Sequence, residues 1–196
     1  HESKYKTNLN EYGISKEAIK KLHQIFKIVI KLLNNQEVQY WIDSGTLLGA
    51  VRHLGMIPWD DDIDIAVIDT SENKNKIKSI KKDLEKYNLN IVKTYYGFKI
   101  YDKNGLKIIK NPWSIHKRRF KDKHKNISRR HLITIEAAKT YKKPQGIIYQ
   151  KYKYPSLDIF LMSPLKEQTI YIKNRWKKCY YNKGDIFPLK KYNYHN

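Results

Sequence analysis

The sequence predicts one domain of the α/β or α+β class, in which helices pack against a β-sheet. Its 196 residues fit a single domain with one hydrophobic core. Segments with helical spacing of apolar residues alternate along the chain with short runs of β-branched and aromatic residues. No internal repeat or linker divides the chain, so residues 1–196 are expected to fold as one unit.

The first predicted element is an amphipathic helix over Ser15–Leu33. Apolar residues recur there at helical spacing, Ser15 is a suitable N-cap and Glu17 lies in the first turn. Lysines interrupt its apolar run in sequence, and no segment of the chain approaches the roughly 18 uninterrupted apolar residues that a membrane-spanning helix needs. We therefore expect a soluble chain and leave its localisation open; a cytoplasmic protein and the soluble part of a secretory-pathway protein are both compatible with the sequence.

Two strands and a second helix are predicted next. The aromatic and β-branched run Val38–Ile42 is typical of a strand, and Ser44 can begin a helix that covers Gly45–Arg52. Pro58 favours an extended chain that leads into a further strand, Ile63–Ile68.

The middle of the chain predicts a third helix, Glu72–Tyr87, and then a small antiparallel meander. Its strands are Asn90–Thr94, Phe98–Tyr101 and Leu106–Ile109, with a turn at residues 102–105 before the last strand.

The last part of the chain begins with a basic, His-bearing segment, Trp113–Lys143, which we expect to be a long surface excursion with a short strand at Leu132–Glu136. Strands are predicted at Ile147–Tyr149 and Ser156–Met162, whereas the aromatic and basic segment Thr169–Tyr181 fits either structure.

The chain is strongly basic, with 40 Lys and Arg against 19 Asp and Glu and a formal net charge of +21. Such a charge fits a polyanionic partner: nucleic acid, an acidic glycan, an anionic membrane or a phosphorylated substrate. The excess is mostly lysine and accompanies abundant Asn, Ile and Tyr, so we attribute it mainly to a compositional bias and leave open whether an anion-facing patch lies within it.

Two aspartates in an apolar strand point to metal chemistry. Residues alternate between the two faces of a strand, so Asp62 and Asp64 share one face while Ile63 and Ile65 enter the core. Two carboxylates about 7 Å apart in a half-buried place repel each other unless one is protonated or a cation joins them. Mg²⁺ takes one or two carboxylates and completes its shell with water and substrate phosphate oxygens.

A second strand, Ser156–Leu161, has the same construction, with Asp158 between apolar neighbours. On an adjacent strand Asp158 would lie about 5 Å from Asp62 or Asp64, close enough to share a metal. The alternative is that the acidic cluster is a solvated turn and that Asp158 is a structural acid at a strand end.

The junction Ser44-Gly45-Thr46 precedes these acids and has the features of an anion site. Free backbone N–H groups and the helix dipole favour an anion there, Gly45 allows close approach, Thr46 offers a hydroxyl and Arg52 a bidentate fork. Each residue also has a simpler explanation: Gly45 permits a tight turn, Thr46 caps the helix, and Arg52 forms a surface ion pair.

These motifs also resemble a known family. The segment Gly45-Thr46-Leu47-Leu48-Gly49-Ala50-Val51-Arg52, followed by Ile57-Pro58-Trp59-Asp60-Asp61-Asp62-Ile63-Asp64-Ile65, resembles the signature of the LicD/fukutin family. Leu157-Asp158-Ile159-Phe160 and Asp185-Ile186-Phe187-Pro188-Leu189 resemble two later motifs of that family. The family includes bacterial phosphocholine transferases and the fukutin and fukutin-related ribitol-phosphate transferases.

The resemblance implies an α+β fold of the nucleotidyltransferase type related to polymerase β, with a mixed β-sheet flanked by helices. It also implies the transfer of a phosphocholine-like or ribitol-phosphate-like group from a CDP-linked donor to a hydroxyl of a glycan or glycoconjugate, with release of CMP.

The resemblance further assigns roles to individual residues. The implied ligands of Mg²⁺ or Mn²⁺ are all aspartates: Asp60, Asp62, Asp64 and Asp158. Among them, Asp62, Asp64 and Asp158 are the expected catalytic residues, Asp60 supports them, and Asp158 is expected to help deprotonate the acceptor. The residues expected to meet the donor phosphates are Gly45, Thr46 and Arg52. Asp61 is expected to face solvent.

The chain departs from the family pattern in two ways. It has one cysteine, Cys179, and so lacks the Cys-rich zinc element of the fukutin-related branch. It ends at Asn196, soon after the Leu189 motif, where relatives continue. We therefore expect truncation at the C-terminus and the absence of part of the donor or acceptor wall.

Two other functions stay open. The same acids could serve a nucleotidyltransferase that moves an NMP to a small molecule, protein or RNA, with the basic segment Lys117–Arg130 following a polyanion. Alternatively, the domain is a non-catalytic polyanion binder. Tyr149, Tyr152 and Tyr154 are expected to lie on an amphipathic edge strand or, alternatively, to form an aromatic cage for a quaternary ammonium group.

Overall fold

The computed structural model describes residues 16–57, 60–109, 149–166, 169–172, 180–191 and 194. The predicted N-cap Ser15, the residues Pro58 and Trp59 and the basic segment Trp113–Lys143 lie outside the described residues.

The described part of the chain forms helices and strands in mixed order. The helices are α1 Lys16–Asn35, α2 Ser44–His53, α3 Ser71–Ser79, α4 Lys81–Glu85 and the single turn α5 Lys183–Ile186. The strands are β1 Tyr40–Ile42, β2 Ile63–Ile68, β3 Leu89–Lys93, β4 Gly97–Ile109, β5 Tyr149–Lys166, β6 Thr169–Ile172 and β7 Tyr180–Asn182.

The strands form one mixed sheet. Its main path runs β1-β2-β5-β4-β3, and β6 joins β5 to β7. The pair β2-β5 is parallel, whereas the other described pairs are antiparallel. The predicted α+β class with a mixed, helix-flanked sheet is therefore confirmed.

The two faces of the sheet carry different groups. Ile63, Ile65 and Val67 of β2 belong to the main core, which also contains residues of α1, α3, α4, β4 and β5. Ala66 belongs to a second cluster on the opposite face. Asp64 alternates with the main-core residues, so it lies on the second face, away from α1.

Helix α1 covers the main core as its apolar spacing predicts. Leu22, Ile25, Val29 and Leu33 are fully buried against the sheet. Complete burial of each such side chain contributes about 1.5–3 kcal/mol. No helix among the described residues combines the length and the apolar character needed to cross a membrane.

Helix Glu72–Tyr87 was predicted as one segment, but the structure has two helices, α3 and α4. Ile80 joins them with φ −67° and ψ −5°, so its ψ departs from the helical value and interrupts the hydrogen-bond ladder. Because Ile77, Ile80 and Leu84 are all fully buried, the interruption preserves the apolar face.

The predicted turn at residues 102–105 is wrong, because β4 continues through it to Ile109. The register of β4 on β5 shifts between Tyr101 and Leu106. A Cβ on Gly105 would come within 3.0 Å of the Asp102 carbonyl oxygen and would also overlap the Tyr154 backbone. The Gly-containing sequence therefore forms an irregularity within a strand rather than a reversal of the chain.

Strand β5 is also longer than predicted. The two expected strands, Ile147–Tyr149 and Ser156–Met162, are parts of one continuous element, Tyr149–Lys166. Residues 157–160 of β5 lie between β2 and β4, which places this strand at the centre of the sheet.

Candidate metal centre

The parallel pairing of β2 with β5 brings the predicted acids together. Asp64 and Asp158 are direct neighbours in the strand register, and Asp62 precedes β2 by one residue. One carboxylate oxygen from each of Asp62, Asp64 and Asp158 lies within 4.8 Å of the other two. The acidic centre, as we call these three residues, thus has the spacing that a shared cation requires.

The acidic centre is buried and chemically suited to a hard divalent cation. Asp64 and Asp158 are 5% and 2% exposed. Oδ1 of Asp62 is buried and has no hydrogen-bond partner within the described part of the chain. Because an unsatisfied buried carboxylate oxygen is costly, an oxygen-loving cation such as Mg²⁺ or Mn²⁺ fits these residues.

A buried lysine, which sequence reasoning missed, contacts the acidic centre. Nζ of Lys99 lies 2.8 Å from Oδ1 of Asp158 and donates to Oγ of Ser156 at 3.2 Å. The same ammonium lies 4.7 Å from the centroid of the Tyr152 ring. Lys99 is only 6% exposed. Tyr152 thus makes a cation–π contact with a lysine of this chain, and the alternative that it helps to form a cage for a quaternary ammonium group stays a prediction.

Tyr96 supports Asp158 from the hairpin between β3 and β4. Its hydroxyl donates a 2.8 Å hydrogen bond to Oδ1 of Asp158. The same oxygen contacts Lys99, so both donors hold Oδ1 and neither is assigned to Oδ2. This arrangement fixes the orientation of the Asp158 carboxylate.

A sequence signal for Lys99 did exist. It lies between Phe98 and Ile100, two buried residues on a central strand, and a lone lysine at such a position requires a partner. The partner itself follows from the register, since Lys99 pairs with Asp158. That register was not available from the spacing of residues.

Burial and neighbouring charges determine the ionisation of this pair. Burial lowers the pKa of Lys99, but the charges of Asp158 and Asp62 outweigh this effect and the net pKa is raised. Burial, together with Asp62, raises the pKa of Asp158 against the opposing effect of Lys99. The first shift favours an ion pair and the second a neutral acid. We favour the ion pair because the ammonium has a 2.8 Å contact and a second acceptor in Ser156.

Asp60 lies on the helix side of the acidic centre. It is 9% exposed, and its carboxylate lies against the backbone of α2 at Gly45. A Cβ at position 45 would come within 3.0 Å of Cγ of Asp60 and closer still to Oδ2. Gly45 therefore does allow the close approach of an anionic group, and in this structure that group is Asp60. The N-terminus of a helix stabilises such a charge.

Asp61 is partly buried, so the prediction that it faces solvent is wrong. Its carboxylate lies near those of Asp60 and Asp62, and the three can offer oxygens within 4.8 Å of one another. Burial, followed by the charges of Asp62 and Asp60, raises the pKa of Asp61 to about 6.

Thr46 joins α2 to the acidic strand. Its Oγ1 accepts a 2.8 Å hydrogen bond from the backbone N–H of Asp64, and its side chain is buried. The Asp43 N–H donates to the Asp64 carbonyl oxygen at 3.0 Å. These contacts fix the backbone of Asp64. The role of Thr46 towards a donor phosphate stays a prediction.

Arg52 is exposed in the last turn of α2, and the described residues include no ion-pair partner for it. The surface ion pair considered above is therefore absent from this part of the structure. Its proposed contact with an anion stays a prediction.

The motif Asp185–Leu189 packs on the face of the sheet that carries the acids. Ile186, Phe187 and Leu189 contact a cluster that includes Trp41 and Phe160. The Phe187 and Trp41 rings meet edge to face with centroids 5.5 Å apart. Trp41 is thus a buried aromatic residue of this face.

Comparison with known proteins gives a family match across this centre. The family described as LicD/FKTN/FKRP, nucleotidyltransferase domain, matches residues 37–151, which is more than half of the chain. The matched range includes Asp62, Asp64 and Lys99, whereas Asp158 follows it.

Individual relatives match over shorter stretches. An uncharacterised protein of Rickettsia typhi is 45% identical over 76 residues, which are 37% of this chain and 25% of that protein. Ribitol 5-phosphate transferase FKRP of Homo sapiens is 39% identical over 50 residues, 26% of this chain and 10% of that protein. Lipopolysaccharide cholinephosphotransferase LicD of Haemophilus influenzae is 53% identical over 34 residues, 17% of this chain and 13% of that protein.

The matches thus cover a quarter or less of the length of these relatives. Two of the relatives are named for the transfer of phosphorus-containing groups. With the family match over residues 37–151, the chain belongs to the LicD/FKTN/FKRP family.

Proposed function

We propose that the protein is a divalent-metal-dependent transferase that moves a phospho-alcohol from a CDP-linked donor to a hydroxyl of a glycan or glycoconjugate. The observation that carries this proposal is the meeting of Asp62, Asp64 and Asp158 at the parallel pair β2-β5. Family membership and the names of two relatives support it. We further propose that the mixed sheet is that of a polymerase β-like nucleotidyltransferase fold.

The acidic centre would hold Mg²⁺ or Mn²⁺ through Asp62, Asp64 and Asp158, with Asp60 in a supporting position. When bound, the ion would offset the negative charge of the donor diphosphate and of the leaving CMP. Thr46 contributes by fixing the Asp64 backbone, and Tyr96 contributes by orienting Asp158. A wrongly oriented carboxylate would misplace the donor, which is costly in phosphoryl transfer.

The transfer itself exchanges one phosphorus–oxygen bond for another. The acceptor hydroxyl oxygen bonds to the phosphorus of the phospho-alcohol, the bond from that phosphorus to CMP breaks, and its electron pair leaves with CMP. We assign the hydroxyl proton to the Asp158 carboxylate.

The helix side would bind the donor. The N-terminus of α2 at Gly45 and the exposed guanidinium of Arg52 are suited to the diphosphate. Asp60 already lies against Gly45, so a donor phosphate bound at this helix terminus would lie close to a carboxylate. Asp60 would help to hold the cation, whose charge would offset the repulsion between carboxylate and phosphate.

The first experiment supplies the protein with Mn²⁺ or Mg²⁺ and a panel of CDP-choline, CDP-ribitol and the four NTPs, each with a glycan acceptor mixture. Release of CMP from a CDP-alcohol is the expected result, and Asp64→Asn should reduce it at least about a hundredfold, in the range of effects seen when one electrostatic group is lost from an active site. The matched control is Asp83→Asn, at a partly exposed aspartate on α4 that is far from the acidic strands in sequence, and it should keep full activity.

The products separate the competing functions. Pyrophosphate release from an NTP would replace the proposal with NMP transfer by the same acids. Absence of turnover with every donor, with salt-sensitive binding of oligonucleotides or sulfated glycans instead, would identify a polyanion binder.

A further inference from the structure

Lys99 introduces a fixed positive charge into a centre that is otherwise suited to a metal ion. Its ammonium is buried, contacts Asp158 at 2.8 Å and lies over the ring of Tyr152. Taking an ammonium out of water is costly, and a close carboxylate with an additional acceptor repays much of that cost. Lys99 is therefore committed to Asp158 when no other cation is present.

The ion pair between Lys99 and Asp158 lowers the negative charge of the acidic centre. Three carboxylates within 4.8 Å of one another carry a formal charge of about −3 when ionised, and the ammonium reduces it to about −2. A divalent cation that approaches Asp158 meets both a weaker attraction and a direct repulsion from Lys99. The pair is buried, so salt screens this repulsion only weakly.

We propose that Lys99 is a built-in counter-cation that competes with the divalent metal for Asp158 and keeps the affinity of the protein alone for the metal low. The biological role of this competition rests on the proposed function. The diphosphate of the donor would supply the metal ligands that the weakened centre lacks, so metal and donor would bind together. Lys99 is in this sense a positioning residue rather than a ligand of the metal.

A merely structural role for Lys99 predicts the opposite result. If the ammonium served only to orient Asp158, its removal would disorder a ligand and weaken metal binding. If it competes, its removal strengthens metal binding. The sign of the change therefore distinguishes the two roles.

The experiment measures Mn²⁺ binding to the metal-stripped full chain by isothermal titration calorimetry, with no donor present. Lys99→Met keeps the length of the apolar stem and removes the charge, and it should bind Mn²⁺ about tenfold more tightly than the wild-type chain, as expected for one unit charge a few ångströms away. An unchanged or weakened affinity would overturn the proposal. Lys86→Met, an exposed lysine, controls for loss of net charge and should leave the affinity unchanged.

A second variant covers the case in which Lys99→Met fails to fold. Lys99→Gln removes the charge and keeps a hydrogen-bond donor towards Asp158 and Ser156. Lys99→Gln should also bind Mn²⁺ more tightly than the wild-type chain, and an unchanged or weakened affinity would refute competition. Because no donor is used, these outcomes do not depend on whether CDP-alcohols are turned over.

Discussion

Two regions hold the carboxylates of the candidate metal centre by different means. We call them the strand side, formed around β5, and the helix side, formed by the start of α2. On the strand side, Asp158 of β5 receives the ammonium of Lys99 and the hydroxyl of Tyr96 from the β3-β4 region. On the helix side, Asp60 lies against the backbone of α2 at Gly45. One support consists of side chains, and the other consists of a helix terminus with no side chain in the way.

This difference determines how each side can fail. Side-chain support can be removed group by group, and each removal leaves a buried partner without its counter-charge or its hydrogen bond. Backbone support cannot be removed by truncation and can only be obstructed by added atoms. The strand side should therefore be sensitive to deletion of a group, and the helix side to the addition of one.

Removal of the Asp158 carboxylate from the strand side should give the largest loss of stability. Asp158→Ala leaves Lys99 buried beside Tyr152 without its carboxylate. We expect the free energy of unfolding to fall by about 3–5 kcal/mol in metal-free buffer, since an uncompensated buried charge remains. Urea denaturation checks this value. Asp83→Ala, which breaks an exposed ion pair with Lys86, should cause no measurable change. A loss below about 1 kcal/mol for Asp158→Ala would contradict the importance of the ion pair.

Addition of a methyl group to the helix side should give an intermediate loss of stability. Gly45→Ala places a methyl group against the Asp60 carboxylate, and we expect a loss of about 1–3 kcal/mol from this overpacking. A Gly→Ala change inside an unobstructed helix normally stabilises it, so the sign alone is informative. Gly184→Ala is the matched control, because a Cβ there meets no atom within 4 Å. Equal denaturation midpoints for both variants would show that Asp60 simply moves away.

The smallest expected change in stability concerns Asp61, which lies between Asp60 and Asp62 in the chain. Its pKa of about 6, against an ordinary value of 3.8, means that the folded state holds this proton more strongly than the unfolded state. Protonation of Asp61 therefore stabilises the folded state fully below pH 3.8, and this stabilisation is lost as the pH rises to about 6. Asp61→Asn mimics the protonated form, so its advantage over the wild-type chain should grow between pH 4 and pH 7.

We expect that advantage to reach about 1 kcal/mol, since partial solvent exposure reduces the full value of the shift. Denaturant unfolding in EDTA at several pH values measures it. A difference between the two proteins that stays constant with pH would show that burial of Asp61 does not affect its ionisation.

The sequence was sufficient to predict the acidic half of the centre. The alternation around Asp62 and Asp64, and the similar pattern around Asp158, place these residues on the strand faces opposite to their apolar neighbours. The family resemblance then supplied the reason why the two strands should be neighbours, and the parallel register of β2 on β5 agrees with it.

The sequence was not sufficient to predict the basic half. Lys99 meets Asp158 only through the register of β4 on β5, which joins residues far apart in the chain. Residue spacing within one strand carries no information on which strand will be its neighbour. The same limitation explains why the segment at Gly105 was predicted as a turn, since its close partner is the distant backbone of Tyr154.

The central position of β5 also has a consequence for biosynthesis. The pair β1-β2 and the pair β3-β4 both leave the ribosome before β5, yet within the sheet each pair reaches the other only through that strand. Until residues 157–162 emerge, β2 has an apolar edge without its parallel partner. Such an edge favours association between chains. We therefore expect nascent or prematurely terminated chains that lack these residues to require chaperones, and the acidic centre to close only after nearly all of the sheet has been synthesised.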